Sequence, residues 1–199
     1  MDRPLIGVSM IFFSLVSIAA IIVAFIMPFM GFPGRVLFPV IMIINAILII
    51  PAILLLMGAV LNGLDDLLLP ASLLLLLGYS INAANYETFM FRRFSGVSIQ
   101  YEVTAIILLL VGWLLFSLFL ALRIKGATAI TIAILIAITE LALTSISLIL
   151  VMVRPLSITF IVRVNHLSTI IGLVKSISIL VGGIYLIGSN LRGGAMGNV

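Results

Sequence analysis

Two charged residues, Glu140 and Lys175, stand in the middle of long apolar runs and are the residues best placed to do chemistry. Glu140 lies within the apolar run 127–153, and Lys175 lies within the apolar run 167–187. A charge in the middle of a membrane is energetically costly, so such residues usually pair with one another or serve transport. The two side chains are therefore candidates for an ion pair or for a proton or ion relay.

Hydroxyl side chains accompany Glu140 along the chain. Thr144 and Ser147 follow it by four and seven residues, which places all three on one face of an α-helix. At 1.5 Å per residue, Glu140 and Lys175 would lie roughly 20 and 12 Å from their shared end, and a lysine stem covers part of that gap. The sequence therefore permits the pairing without requiring it.

A structural explanation of these two charges competes with a functional one. As a structural element, a buried ion pair would hold two helices together. As a relay, Glu140 would bind and release a proton or an ion, and Lys175 would modulate that binding. The structural explanation is favoured, because an isolated pair lacks the series of titratable groups along which a relay passes protons.

The composition indicates a protein that is surrounded by lipid. Apolar residues make up 64% of the 199-residue chain and charged residues 8%, and the mean hydropathy is +1.49. A soluble domain carries about 25% charged residues. The apolar runs are continuous rather than alternating, which favours helices over a β-barrel. We therefore predict an all-α integral membrane protein that forms a single transmembrane domain over 1–199.

Six apolar runs are candidate membrane-spanning helices, judged against the ~20 residues that a span requires. They cover 5–30, 36–61, 67–81, 103–124, 127–153 and 167–187. The third run is short and contains Pro70, so a five-span arrangement is also open. Short links between runs predict antiparallel neighbours. The orientation is undetermined, because the cations are divided almost equally between the two sides.

Two segments between the runs have the composition of a membrane surface. The first, 82–102, combines aromatic and cationic side chains, namely Phe89, Phe91, Arg92, Arg93 and Phe94. Such side chains are typical of the lipid–water boundary. We expect this segment to lie flat and anchor the bundle, with a lid or docking element as the alternative. The second, 155–166, is rich in β-branched residues, and we expect a short extended or surface segment there.

Small and polar residues mark the helix faces that we expect to pack against other helices. On the last run they are Ser168, Gly172, Ser178 and Gly182, two pairs spaced by four residues that allow a close approach. Asn45 in the second run is expected to hydrogen-bond a neighbouring helix. We expect these contacts to form within the chain rather than between chains.

The sequence offers little for catalysis or for cofactor binding. There is no Cys, and His166 is the single His, which excludes bis-His haem and Cys-ligated metal centres within this chain. Asp65 and Asp66 fit a helix cap as well as a cation site. The ten Lys and Arg residues are scattered between apolar runs, so we expect no nucleic-acid binding. We find no catalytic motif and expect no cofactor and no metal.

These observations favour a non-catalytic subunit that packs within a larger membrane assembly, such as a respiratory or secretion complex. Its expected partners are membrane lipid and other membrane subunits. The alternative is a small transporter or an ion or proton conduit that uses the pair formed by Glu140 and Lys175. A membrane-embedded enzyme acting on lipid is the least favoured class, because the sequence lacks convergent polar residues.

Overall fold

The computed structural model describes residues 3–29, 40, 43–44, 46–91, 97–124, 126–152 and 158–195. These residues contain six helices and no strand. The helices are α1 (Arg3–Phe29), α2 (Ile49–Leu61), α3 (Leu68–Phe91), α4 (Val97–Arg123), α5 (Ala127–Met152) and α6 (Ile158–Ala195). The prediction of an all-α chain is confirmed.

Four stretches of the described helices are long and apolar enough to cross a membrane. They are Arg3–Ala24, Ile99–Arg123, Ala127–Met152 and His166–Ser189. Two shorter apolar stretches, Ile49–Leu61 and Leu68–Ala84, belong to α2 and α3. The described part of the chain thus contains four helices with the length and composition of membrane spans, and the number of complete crossings stays a prediction.

The six helices pack in a closed ring that follows the order of the chain. Each helix packs against the helices before and after it, and α1 closes the ring against α6. All six contribute buried apolar side chains to one core on the inner side of the ring. Large apolar side chains are exposed on the outer side of every helix. An apolar outer surface is what a lipid environment requires.

Glycines bring α1 and α6 into backbone contact. A Cβ atom built on Gly183 would lie 2.7 Å from the carbonyl oxygen of Gly7, and one built on Gly7 would lie 2.8 Å from the carbonyl oxygen of Gly183. Across the same interface, Ser14 Oγ donates a hydrogen bond to the carbonyl oxygen of Ser176 at 2.7 Å. Small residues therefore allow the first and last helices to close the ring.

The two glycines predicted as packing positions on α6 lie at this interface. A Cβ atom on Gly172 would meet an α1 side chain at 3.2 Å, and one on Gly182 would meet another at 2.5 Å. Ser178 is buried and Ser168 is half-buried. The contacts of both glycines are with helices of the same chain. Asn45 lies outside the described residues, so its predicted hydrogen bond is untested.

Asp65 fixes the link between α2 and α3. Its Oδ1 accepts hydrogen bonds from the backbone N–H groups of Leu67 at 2.9 Å and Leu68 at 3.2 Å, which caps the start of α3. Its Oδ2 lies 3.0 Å from Arg123 Nε at the end of α4, where a cation also complements the helix dipole. One carboxylate thus joins the beginning of α3 to the end of α4.

Pro70 does not shorten α3, because it falls in the first turn of that helix. The N–H groups of a first turn have no partner within the helix, so a proline there removes no helical hydrogen bond. α3 continues from Leu68 to Phe91 and has 24 residues. The proline therefore does not shorten the helix, and whether this helix crosses the membrane fully stays a prediction.

Both segments predicted to lie at a membrane surface are mostly helical. In the first segment, 82–102, α3 continues to Phe91 and α4 begins at Val97. The location of this segment at a membrane surface stays a prediction. Arg92, Arg93 and Phe94 lie outside the described residues, as do the side chains of Phe89 and Phe91.

The expectation of an extended segment within 155–166 is wrong, because α6 already begins at Ile158. β-Branched residues disfavour a helix only slightly. In lipid a helix is favoured, because it satisfies its own backbone hydrogen bonds. Strand propensity in a short apolar segment is therefore a poor guide here.

Gly183→Ala is expected to destabilise the ring, because the added methyl group would collide with the backbone of α1. Overpacking of this kind costs about 1–3 kcal/mol, which exceeds the roughly 1 kcal/mol that Ala gains over Gly in helix propensity. Gly188→Ala in the same helix is the control, because nothing lies within 4 Å of its added Cβ. The measurement is the thermal unfolding midpoint of each purified variant in detergent. Equal midpoints would contradict the close approach of α1 and α6.

Asp65→Ala is expected to lower the free energy of unfolding more than Asp65→Asn does. The alanine loses both the cap, worth about 0.5–2 kcal/mol, and the ion pair, whereas asparagine keeps a capping oxygen. Arg123→Gln removes only the ion pair, and its side chain is 49% exposed, so we expect a loss of about 0.2–1 kcal/mol. The free energies of unfolding of the three variants, measured in detergent, give the order of these losses. Arg123→Gln costing as much as Asp65→Ala would argue against the cap.

Candidate functional site

Glu140 and Lys175 form an ion pair on the inner side of the ring. Lys175 Nζ donates a hydrogen bond to Glu140 Oε2. The two side chains are 7% and 13% exposed, respectively. Glu140 lies near the middle of α5 and Lys175 near the middle of α6. Because α6 begins at Ile158 rather than at Leu167, Lys175 lies further from the start of its helix than the apolar run suggested.

The indole ring of Trp113 is a second partner of Lys175. Nζ lies 4.3 Å from the ring centroid, which is within the range of a cation–π interaction. Trp113 is 2% exposed and belongs to α4, which does not pack against α6 in the ring. The ammonium group therefore meets a side chain that comes from across the interior of the ring.

Tyr79 on α3 orients the indole ring. Trp113 Nε1 donates a hydrogen bond to the Tyr79 hydroxyl oxygen at 3.2 Å. Buried indole N–H groups usually have such a partner. Tyr79 is 7% exposed. The hydroxyl, the indole, the ammonium and the carboxylate thus form one connected group of polar side chains.

Phe13 on α1 fills the rest of the centre. Its ring centroid lies 5.3 Å from that of Trp113, in an edge-to-face arrangement, and 5.5 Å from that of Tyr79. α1 and α4 are on opposite sides of the ring, so contact between Phe13 and Trp113 occupies the ring's middle. We refer to Phe13, Tyr79, Trp113, Glu140 and Lys175 as the central cluster, to which α1, α3, α4, α5 and α6 each contribute one side chain.

The hydroxyl side chains predicted to accompany Glu140 do not extend this cluster. Thr144 is buried and Ser147 is half-buried on α5. Among the hydrogen bonds of the described residues, none joins Thr144 or Ser147 to Glu140 or Lys175. The pair therefore lacks, on this side, the onward series of groups that a relay along α5 would use.

A groove of ≈ 470 Å³ lies between α5 and α6. It is lined on α5 by Ala127, Thr128 and Thr131 and on α6 by Ile177, Ser178 and Val181, among others. Glu140 and Lys175 are not part of its lining. Most of these lining side chains are exposed on the outer side of the ring. The groove is therefore a feature of the outer surface and is separate from the central cluster.

Sequence reasoning singled out Glu140 and Lys175 but not their aromatic neighbours. Trp113 is the only Trp in the chain and lies well inside a long apolar helix. Membrane proteins usually carry Trp near the ends of their spans, so this unusual position was a signal that could have been used. Phe13 and Tyr79 stand in apolar stretches without a distinguishing pattern, and only the packing of the ring brings them into the cluster.

Comparisons with known proteins found no match to this chain, whether to a family model, to a curated protein or to a solved structure. A proposal about function therefore has to rest on the described residues themselves, chiefly on the central cluster and the outer groove.

Removing one charge of the central pair is expected to destabilise the chain more than removing both. Glu140→Gln or Lys175→Met leaves the other buried charge without its partner, which costs about 3–5 kcal/mol. The double variant has two neutral side chains of similar size and avoids most of that loss. Thermal unfolding of the wild type, both single variants and the double variant measures the coupling. Single effects that simply add would show that the two charges do not stabilise each other.

Proposed function

We propose that this chain is a six-span membrane protein that serves as a non-catalytic subunit of a larger membrane assembly. Four stretches have the length and hydropathy of membrane spans, and α2 and α3 pack between α1 and α4 in the same ring. Links of a few residues join α2 to α3 and α4 to α5. Helices joined in this way run antiparallel, which favours six crossings with residues 82–102 partly at the membrane surface.

The interior of the ring supports a structural role. Its two buried charges neutralise each other, and Trp113 and Phe13 occupy the centre at the depth of the pair. The part of the chain that the structure describes contains no group of three or more His, Cys, Asp or Glu side chains that could hold a metal ion. A protein with an interior filled in this way would act chiefly through its outer surface.

The groove between α5 and α6 is the observation that carries the proposal. Its lining includes four small or hydroxyl-bearing residues, Ala127, Thr128, Thr131 and Ser178. Interfaces between membrane helices are enriched in such residues, because they let a second helix come close. Thr131 Oγ1 donates to the carbonyl oxygen of Ala127 in its own helix, so its polar group is already satisfied. The occupant we propose is an apolar membrane helix of a partner subunit.

Thr131→Phe is expected to release the partner, because a larger ring would fill the groove. The tagged chain is extracted in mild detergent, and the mass of the complex and the identity of co-purifying membrane proteins are measured. The wild type should yield a complex well above the 21.4 kDa of the chain, with other membrane proteins in fixed stoichiometry, and the variant should lose them.

Val60→Phe is the matched control, because it adds the same ring on α2 at a residue that is 54% exposed, and α2 packs against neither α5 nor α6. This variant should retain the complex. A wild-type chain that purifies alone, or only as copies of itself, would overturn the subunit proposal. Loss of partners in both variants would place the interface elsewhere than the groove.

A small transporter or proton conduit is the second candidate, and the position of the ion pair in the ring's centre favours it. A conduit through the ring would have to pass Glu140 and Lys175, and intramembrane charges commonly mark such paths. In vesicles containing only the purified chain, a conduit predicts proton flux that Glu140→Gln abolishes and Thr131→Phe leaves unchanged. No flux from the wild type would remove this candidate.

A further inference from the structure

We propose that the central cluster is a proton-binding site, in which Glu140 takes up one proton and Lys175 then moves from the carboxylate onto the face of Trp113. One O–H bond forms on the carboxyl group with a proton taken from solution. Lys175 stays an ammonium ion throughout, so the cluster changes by one unit of charge. This inference goes beyond the subunit proposal and concerns a property of the isolated chain.

The first step rests on the two partners of Lys175. Its ammonium group is hydrogen-bonded to Glu140 Oε2 and at the same time lies 4.3 Å from the centroid of Trp113. A side chain that already contacts both partners needs only a small rotation of its flexible stem to favour one over the other. The contact that would hold Lys175 after protonation is therefore already made in the structure, and only the balance between its two partners has to change.

The second step is that this position can hold an ammonium ion without the carboxylate. An indole face attracts a cation more strongly when water is excluded, and Trp113 is 2% exposed. The hydrogen bond from Trp113 Nε1 to Tyr79 fixes the ring, so its face stays turned toward Lys175. A protonated Glu140 would then leave a charge that still has a favourable contact.

The third step concerns the other charges near the pair. α1 and α2 bring no titratable side chain to the cluster, since Arg3 at the start of α1 is the only charged residue in those two helices. Among the side chains that the structure describes, Tyr79 is the titratable group of α3 that contacts Trp113, and Trp113 of α4 contacts Lys175. Glu102 and Arg123 lie near the two ends of α4. Glu140 is thus the carboxyl group whose protonation would change the surroundings of Trp113.

The pair is also incompletely enclosed. The side chains of Glu140 and Lys175 keep 7% and 13% of their surface exposed, respectively. Local opening of a helix pair is enough to admit water for a short time.

Trp113 makes the proposal directly measurable, because it is the only Trp in the chain. Its fluorescence is recorded on the purified chain in detergent as the pH is varied. We expect one reversible transition in the wild type, as Lys175 moves onto the indole ring. Glu140→Gln should abolish the transition and give the low-pH emission at every pH, because the amide resembles a protonated carboxyl group. Lys175→Met should also give a flat curve, because no cation can move.

Two control variants separate this transition from other titrations. His166→Gln removes the single His of the chain, and Glu102→Gln removes a carboxyl group near the start of α4. Both should retain the transition. A flat wild-type curve, or a transition that Glu140→Gln retains, would overturn the proposal. Since the wild-type curve alone can overturn it, the test does not depend on any variant folding. A missing partner complex would not affect this result, so the two proposals fail independently.

Discussion

The ion pair between Glu140 and Lys175 limits what can occupy the centre of this ring of helices. An ion taken from water into an apolar interior loses several kcal/mol of solvation, and only a close partner of opposite charge offsets that loss. α5 and α6 must therefore be neighbours, with these two positions at the same level. Once the pair is set, the space around it needs side chains that tolerate a charge. Trp113 and Tyr79 meet this need, because an indole face attracts a cation and a phenol can accept the indole N–H.

The interface between α1 and α6, which closes the ring, lies at the level of this ion pair. The hydrogen bond from Ser14 to Ser176 joins α1 to α6, and these two residues directly follow Phe13 and Lys175 in the sequence. The contact between Gly7 and Gly183 lies about two turns from this hydrogen bond, toward the start of α1 and toward the end of α6. One interface thus brings the first helix against the last and places Phe13 and Lys175 where both contact Trp113. Packing of small residues and burial of the charge are parts of a single arrangement.

The helical class and most helix positions follow from the sequence, because continuous apolar runs in lipid can satisfy their backbone only as helices. The proximity of Glu140 and Lys175 could also be predicted, since two lone charges in apolar helices need partners. The start of α6 could not be predicted, because β-branched residues suggest a strand when their surroundings are unknown. The ring itself could not be predicted either, since Phe13 and Trp113 meet from opposite sides of the ring and no spacing along the chain encodes that contact.

Stability alone does not account for charges at this position. Hydrophobic side chains of similar volume in place of a buried ion pair are often neutral or stabilising, and the surrounding core of aromatic and aliphatic residues could pack against them. A Glu and a Lys in the centre therefore contribute something other than net stability. One contribution is specificity, because only one rotation of α5 and α6 brings the charges together. The other is response, because a carboxyl group can change its charge and an apolar side chain cannot. The double contact of Lys175 with Glu140 and Trp113 supports the response that we propose, because specificity needs only the carboxylate, whereas response needs a second partner for the cation.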